Sequence, residues 1–185
     1  SIRSSGNIDT IMKKITTIVL SLMMLLFASS SYACDFRIGQ FGDPKEKIKI
    51  EPTPFAFPDR FDGVNVVFPI KRICKNSNVL EGTMVNYLYI DNQLSQIALE
   101  RANMNDKKLL NFAMKKYGLF DLPKSISKKD WRGSHNWESG HEVITYFVTD
   151  ILQGEIEVLT ITNKLYHNKI VEHDTKMGKW LDTQK

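Results

Sequence analysis

Cysteine is scarce in this chain: Cys34 and Cys74 are the only two in 185 residues, so at most one disulfide can form. Histidine is nearly as rare. His135, His141, His167 and His173 fall in neighbouring pairs six residues apart, neither the i, i+4 of a helical metal pair nor the i, i+2 of a strand pair. His141-Glu142 begins like a zincin helix, but four residues after His141 stands Thr145, so the second ligand is missing. Gly39 and Gly42 do not make a phosphate-cradling loop. Gly133-Ser134-His135 lacks the second glycine of a nucleophile elbow. An adjacent serine and histidine are not a triad, which is defined by geometry in space. These absences leave no catalytic residue, cofactor or metal to assign.

Long apolar runs are also few. One stands out, Ile15–Ala28 within MKKITTIVLSLMMLLFASSSYAC (12–34). Lys13 and Lys14 precede it, and Ser31-Tyr32-Ala33 follows as a small-x-small cleavage site, so it reads as a bacterial export signal cut after Ala33. The run is too short for a membrane span, which needs roughly 20 apolar residues. Residues 1–11 read as an upstream extension or scar. The expected mature chain, residues 34–185, is a single domain with a polar tail, periplasmic or secreted. It carries 22 basic and 20 acidic side chains, so part of the apparent basicity belongs to the leader. Lys107, Lys108, Lys115, Lys116, Lys124, Lys128 and Lys129 cluster mid-chain and read as a solvated face, with no nucleic-acid partner expected.

Export gives the two cysteines two incompatible fates. A Cys34–Cys74 disulfide is favoured by the oxidising compartment. The alternative is lipidation of Cys34, the residue directly after Ala33, which would tether the protein to a membrane. Ser31, three residues before Cys34, is a poor match to the apolar residue such signals carry there.

What remains suggests an α+β fold, an antiparallel β-sheet with one or two helices packed on one face. Thr83–Ile90 and Leu94–Arg101 form the clearest hairpin, turning at Asp91-Asn92-Gln93. Residues 106–117 form the clearest helix, with Leu109, Leu110, Ala113, Met114 and Tyr117 on one face, lysines opposite, Asp106 as cap and Gly118 at its end. Val64–Cys74, Glu142–Thr149, Ile156–Thr162 and Lys164–Val171 read as further strands, with Pro69 arguing for an edge or bulge. Asp35–Phe41 reads as a short strand, Pro44–Ile50 as a short helix capped by Asp43, and Met177–Asp182 as a frayed helix. EPTPFAFPDRF (51–61) is irregular, with Phe55, Phe57 and Phe61 expected as core pins rather than as an aromatic docking loop.

The densest polar-aromatic cluster is WRGSHNWESGH (131–141). Trp131, Arg132, His135 and Trp137 are the candidate ligand-binding residues, since tryptophans stack on sugars or peptide side chains while Arg and His give directional hydrogen bonds. The structural alternative is that both tryptophans cover an end of the sheet. Glu138, Glu142, Asp150, Glu155 and Glu157 could pair for glycosidic chemistry only at a defined separation, and Glu155 and Glu157 read as the wet face of a strand. The leading expectation is a non-catalytic binding, inhibitor or immunity-type module for an envelope protein, peptide or saccharide. The rivals are a small hydrolase using His135 or His141 with a carboxylate, and a component lipid-anchored through Cys34.

Overall fold

The computed structural model describes residues 34–75, 78–102, 105–152 and 154–184. The extension, the leader and its junction at Ala33 lie outside the described residues. Among the latter, seven strands form one antiparallel sheet: β1 (Phe55–Pro58), β2 (Gly63–Pro69), β3 (Thr83–Ile90), β4 (Gln93–Ala102), β5 (His135–Ser139), β6 (Glu142–Ile151) and β7 (Gly154–Asn163). Helix α1 (Lys108–Tyr117) follows β4, and helix α2 (His167–Asp182) follows β7. The strand order is β1-β2-β3-β4-β7-β6-β5. Two meanders therefore meet at β4 and β7, and α1 carries the chain to the far edge. The α+β class holds, with the sheet dominant.

Local chemistry explains the sharpest features. The β3–β4 hairpin turns through Asp91 (φ 51°) and Asn92 (φ 58°), the two residue types that tolerate left-handed geometry best after glycine. A register shift follows: Leu88 pairs with Gln96 and Tyr89 with Leu94, which leaves Ser95 as a bulge. Gly140 (φ 59°) sits at the first position of the β5–β6 turn, where a side chain would be strained.

Alternation assigns the faces. Val85 and Tyr87 of β3, Ile97 and Leu99 of β4, Leu159 and Ile161 of β7, and Ile144 and Tyr146 of β6 stand opposite one another and are all buried. Helix α1 covers this face with Leu109, Leu110, Ala113 and Met114, as its 3.6-residue period predicts. Each such side chain contributes about 1.5–3 kcal/mol on burial. Phe36 from the irregular N-terminal segment fills the same face, edge-on to Phe112 of α1, and its carbonyl accepts the Tyr87 hydroxyl.

Helix α2 lies elsewhere. Its Ile170 packs with Leu88 and Ile90, which alternate with Tyr87 and Tyr89 and so point the other way. The two helices thus divide between the faces instead of sharing one. Lys164–Val171 is a 3-10 turn and the start of α2, not a strand, and the expected frayed helix at Met177–Asp182 is the end of sixteen helical residues. Asp35–Phe41 is not a strand, and Pro44–Ile50 holds only one 3-10 turn, Lys45–Lys47. β2 ends at Pro69 and lies between β1 and β3, so it is no edge. The edge is β1, inside the stretch expected to be irregular, and the other edge, β5, lies inside the candidate site. Cys34 and Cys74 are joined in a disulfide, which takes the sulfur that lipidation of Cys34 would need.

Candidate functional site

The 131–141 segment enters β5 with His135 and Trp137 turned to the α1 face and Asn136 and Glu138 turned away. Trp131 and Trp137 are both buried. The Trp131 ring stacks on Tyr146 with centroids 5.7 Å apart. Trp137 Nε1–H donates to the carbonyl oxygen of Gly118 at 2.9 Å, tying β5 to the end of α1. Phe120 fills the space between, 5.4 Å from Trp131 and 5.6 Å from Trp137, and stacks on His135 at 3.7 Å. Gly133 is required by this packing, because a Cβ there would come within 2.7 Å of the Trp131 indole. The structure thus brings Trp131, His135 and Trp137 together, with their ring faces already in contact with protein. Arg132 stays exposed at the rim, where it donates to Glu155 Oε1 at 2.5 Å and to the Lys129 carbonyl at 2.9 Å.

Neither histidine of the hydrolase rival has a carboxylate hydrogen-bond partner among the described residues. Burial lowers the pKa of His135, and its neighbours are the rings of Phe120 and Trp137. His141 is exposed on the β5–β6 turn. The described residues contain no group of three or more His, Cys, Asp or Glu placed to hold a metal ion.

The histidine that does meet carboxylates is His173, on the buried side of α2. Its Nε2 lies 2.7 Å from Asp59 Oδ2 and its Nδ1 lies 3.1 Å from Asp174 Oδ1. Asp59 Oδ1 accepts from the backbone N–H of Phe61 at 2.7 Å and of Gly63 at 3.0 Å. Gly63 gives the pair room, since a Cβ there would reach within 2.4 Å of His173 Nε2. Burial alone would lower the His173 pKa, but Asp59 and Asp174 outweigh it and raise it. Burial would raise that of Asp59, yet its backbone donors and His173 bring it below the usual value. The raised histidine adds stability that is complete below its unfolded pKa of about 6.5 and lost as pH climbs through its folded value. The lowered aspartate adds stability that is present above its unfolded pKa and lost as pH falls through its folded value. The stability gap between the wild type and Asp59→Asn should therefore be widest in mildly acidic solution and shrink by pH 9. Urea midpoints across that range check this, and a gap that widens towards pH 9 contradicts the assignment.

A second buried polar cluster lies where α1 meets β4 and β7. Glu157 is 0 % exposed. Its Oε1 accepts from the Tyr146 hydroxyl at 3.0 Å and from the backbone N–H of Leu110 at 3.3 Å. It thus anchors the N-terminal turn of α1, where the helix dipole favours an anion. Arg101 Nη1 is 3.7 Å from Glu157 Oε2 and forms a bidentate pair with Asp106 at 2.6 and 2.8 Å. Lys107, in left-handed backbone (φ 49°), is 1 % exposed, and its Nζ has no hydrogen-bond partner among the described residues. Burial lowers the Lys107 pKa, and the charge of Arg132 lowers it further. Burial, together with Glu157, pushes the Tyr146 phenol far above its ordinary value.

This cluster corrects two expectations. Glu157 does not lie on a wet strand face, and Lys107 does not join the solvated lysines. The signal was present: Glu157, Leu159 and Ile161 alternate onto one face, and two of the three are apolar. With Arg101, Lys107, Tyr146 and Glu157 all buried, the cluster holds α1 to the sheet.

Phe55 and Phe57 correct the expectation of core pins. They are 71 % and 56 % exposed, side by side on edge strand β1 with centroids 6.3 Å apart. Comparison of the chain with protein-family models, with curated proteins and with solved structures finds no match.

Proposed function

We propose that this chain is an exported, non-catalytic binding module whose contact surface is the aromatic pair on β1. The exposure of Phe55 and Phe57 carries the reading, because two neighbouring large apolar rings left in water mark an interaction surface. The leader, the disulfide and the absence, among the described residues, of a helix long and apolar enough to cross a membrane are compatible with an envelope or secreted location.

The edge itself is blunted. Asp59 N–H donates to the Gly63 carbonyl, so by ladder alternation Phe55 and Phe57 bond to β2, and positions 54, 56 and 58 face outward. Two of these are prolines, leaving Ala56 N–H as the single outward donor of the three. Strand addition is thereby disfavoured, and the rings do the binding. Partner classes are an envelope protein, a peptide or a saccharide.

Serine at both positions should leave stability within about 0.5 kcal/mol of wild type, as for other surface substitutions. It should abolish photocrosslinking from a benzoylphenylalanine placed at position 84, whose Met84 is exposed on the same face, to components of the native envelope. Arg132→Ala should crosslink as wild type does. Undiminished crosslinking by the double-serine variant would refute the assignment.

A further inference from the structure

The sheet ends in two edges of unlike chemistry. On β1, Pro54 and Pro58 remove outward donors. The β5 edge has no proline and no bulge, and all five of its residues pair with β6 in unbroken register. Gly140 and His141 form a two-residue turn, so the Ser139–Glu142 pair that closes it is hydrogen-bonded and the ladder alternates from there. The backbone groups of His135, Trp137 and Ser139 bond to β6, and those of Asn136 and Glu138 point away from it. Two N–H donors and two carbonyls thus line the free edge, and no other described group bonds to them.

This edge is open. Asn136, Glu138 and Ser139 are exposed. Helix α2 leaves β7 in the other direction and reaches the β1–β2 turn, where His173 meets Asp59 and the Trp180 ring centroid lies 4.4 Å from the Arg60 guanidinium. On the α1 face, Gly118 and Phe120 touch the Trp137 indole N–H and the aromatic rings, not the outward backbone groups of Asn136 and Glu138.

We infer that β5 is the pairing edge of a two-fold dimer, lying antiparallel to β5 of a second copy with Trp137 opposite the partner's Trp137. The register follows from side-chain chemistry. Setting Asn136 opposite itself carries the ladder into Gly133 and Ser134, outside the strand. Setting Glu138 opposite itself places like charges face to face. With Asn136 opposite the partner's Glu138, all five residues of β5 pair and four backbone hydrogen bonds close. On the face turned from α1, each Asn136 amide then donates to the partner's Glu138 carboxylate. The Asn136 side chain has no other hydrogen bond among the described residues. The two Glu138 charges stand on a diagonal, each already met by its own Lys164 Nζ at 2.5 Å. The dimer joins two seven-stranded sheets into one and leaves a β1 edge at each end, so it presents the Phe55–Phe57 pair twice.

Sedimentation equilibrium of the full exported chain tests this. The mass should rise from one chain towards two between about 1 μM and about 1 mM, the span of a small interface. Asn136→Pro removes an outward N–H, as Pro54 and Pro58 do on β1, and should stay monomeric with its urea midpoint close to wild type. Asn136→Lys, facing the partner's Glu138, should tighten the dimer about fivefold. Asn136→Glu should weaken it about as much, since symmetry counts each pair twice. Opposite shifts from two exposed substitutions read the register independently of folding. A single chain at about 1 mM, equal dimerisation of Asn136→Pro, or shifts of the same sign for lysine and glutamate overturn the proposal. A benzoylphenylalanine at position 136 that crosslinks a different envelope protein, while the purified chain stays monomeric, gives the edge to a foreign strand and overturns it too. Phe55 and Phe57 are unchanged in every variant, so the contact-surface reading stands or falls on its own crosslinking test.

Discussion

Replacing Glu157 with alanine is expected to destabilise the fold by about 3–5 kcal/mol, the range for breaking a buried ion pair from one side. The carboxylate serves three groups at once. Tyr146 and Leu110 donate to Oε1, and Arg101 faces Oε2. Alanine leaves the phenol and the amide unpaired and removes the second, fully buried anion beside Arg101, which keeps its pair with Asp106, while Lys107 Nζ stays buried with no hydrogen bond among the described residues. At roughly 2–4 °C per kcal/mol for a domain of this size, melting should fall by about 6–20 °C. Glu157→Gln separates the contributions. It keeps an acceptor for Tyr146 and Leu110 but removes the charge, so it should recover only part of the loss. Lys107→Met in that background removes the cation left without its counter-charge and should restore stability, a positive coupling visible in a double-mutant cycle. Thermal or urea unfolding of the wild type, Glu157→Ala, Glu157→Gln, Lys107→Met and the double variant reads all of this. A loss under 1 kcal/mol for Glu157→Ala would mean that α1 is held by its apolar face alone.

How much of this was legible depended on whether the deciding partner is near in sequence. The β3–β4 hairpin and α1 are local: aromatic and branched residues around Asp91-Asn92, and a 3.6-residue apolar stripe ending at Gly118. Helix α2 is not. Its inward stripe includes His173, a polar residue made buryable by Asp59, 114 positions away. Read locally, that histidine breaks the apolar period and the segment looks like a strand followed by a frayed tail. Phe55 and Phe57 were misassigned for a similar reason. Tryptophan 131, tryptophan 137 and phenylalanines 55 and 57 all invite the expectation of burial. Strand parity and the covering helix decide the outcome: His135 and Trp137 face α1, whereas Phe55 and Phe57 lie on an edge strand whose outward face α2 does not reach. Glu157 was legible from its alternation with Leu159 and Ile161, but the cation that makes its burial tolerable, Arg101, sits across β4 in the register.

Removing the disulfide, as Cys34→Ser with Cys74→Ser, should cost about 2–4 kcal/mol. In the chain-entropy model a loop of about 40 residues gives roughly 4 kcal/mol, and native strain or residual unfolded structure trims it. The loop holds an unusual share of non-repetitive backbone. Asp35–Pro54 has one 3-10 turn and no strand, yet it delivers Phe36 and Ile50 to buried positions. Two backbone bonds tie it to β4, the Gly42 amide to the Leu94 carbonyl at 2.9 Å and the Leu94 amide to the Asp43 carbonyl at 2.9 Å, and side-chain bonds such as Arg37 Nη1–H to Glu142 Oε1 at 2.7 Å add to them. A segment of this kind frays once its end is released. The double-serine protein should therefore lose global stability and also lose amide-exchange protection first at Gly42 and at Ile38, whose N–H is aimed at the Tyr87 hydroxyl. Protection at Val85 and Leu99, in the centre of the sheet, should fall only with the global change. Equal loss at all sites would place the whole effect in the unfolded chain, and an unfolding midpoint unmoved by the substitutions would show that the cross-link contributes nothing. The intact mass of the exported wild type completes the test. A deficit of two hydrogens matches the disulfide, whereas a gain of several hundred daltons at Cys34 would mean a lipid-anchored protein in which this loop is never closed.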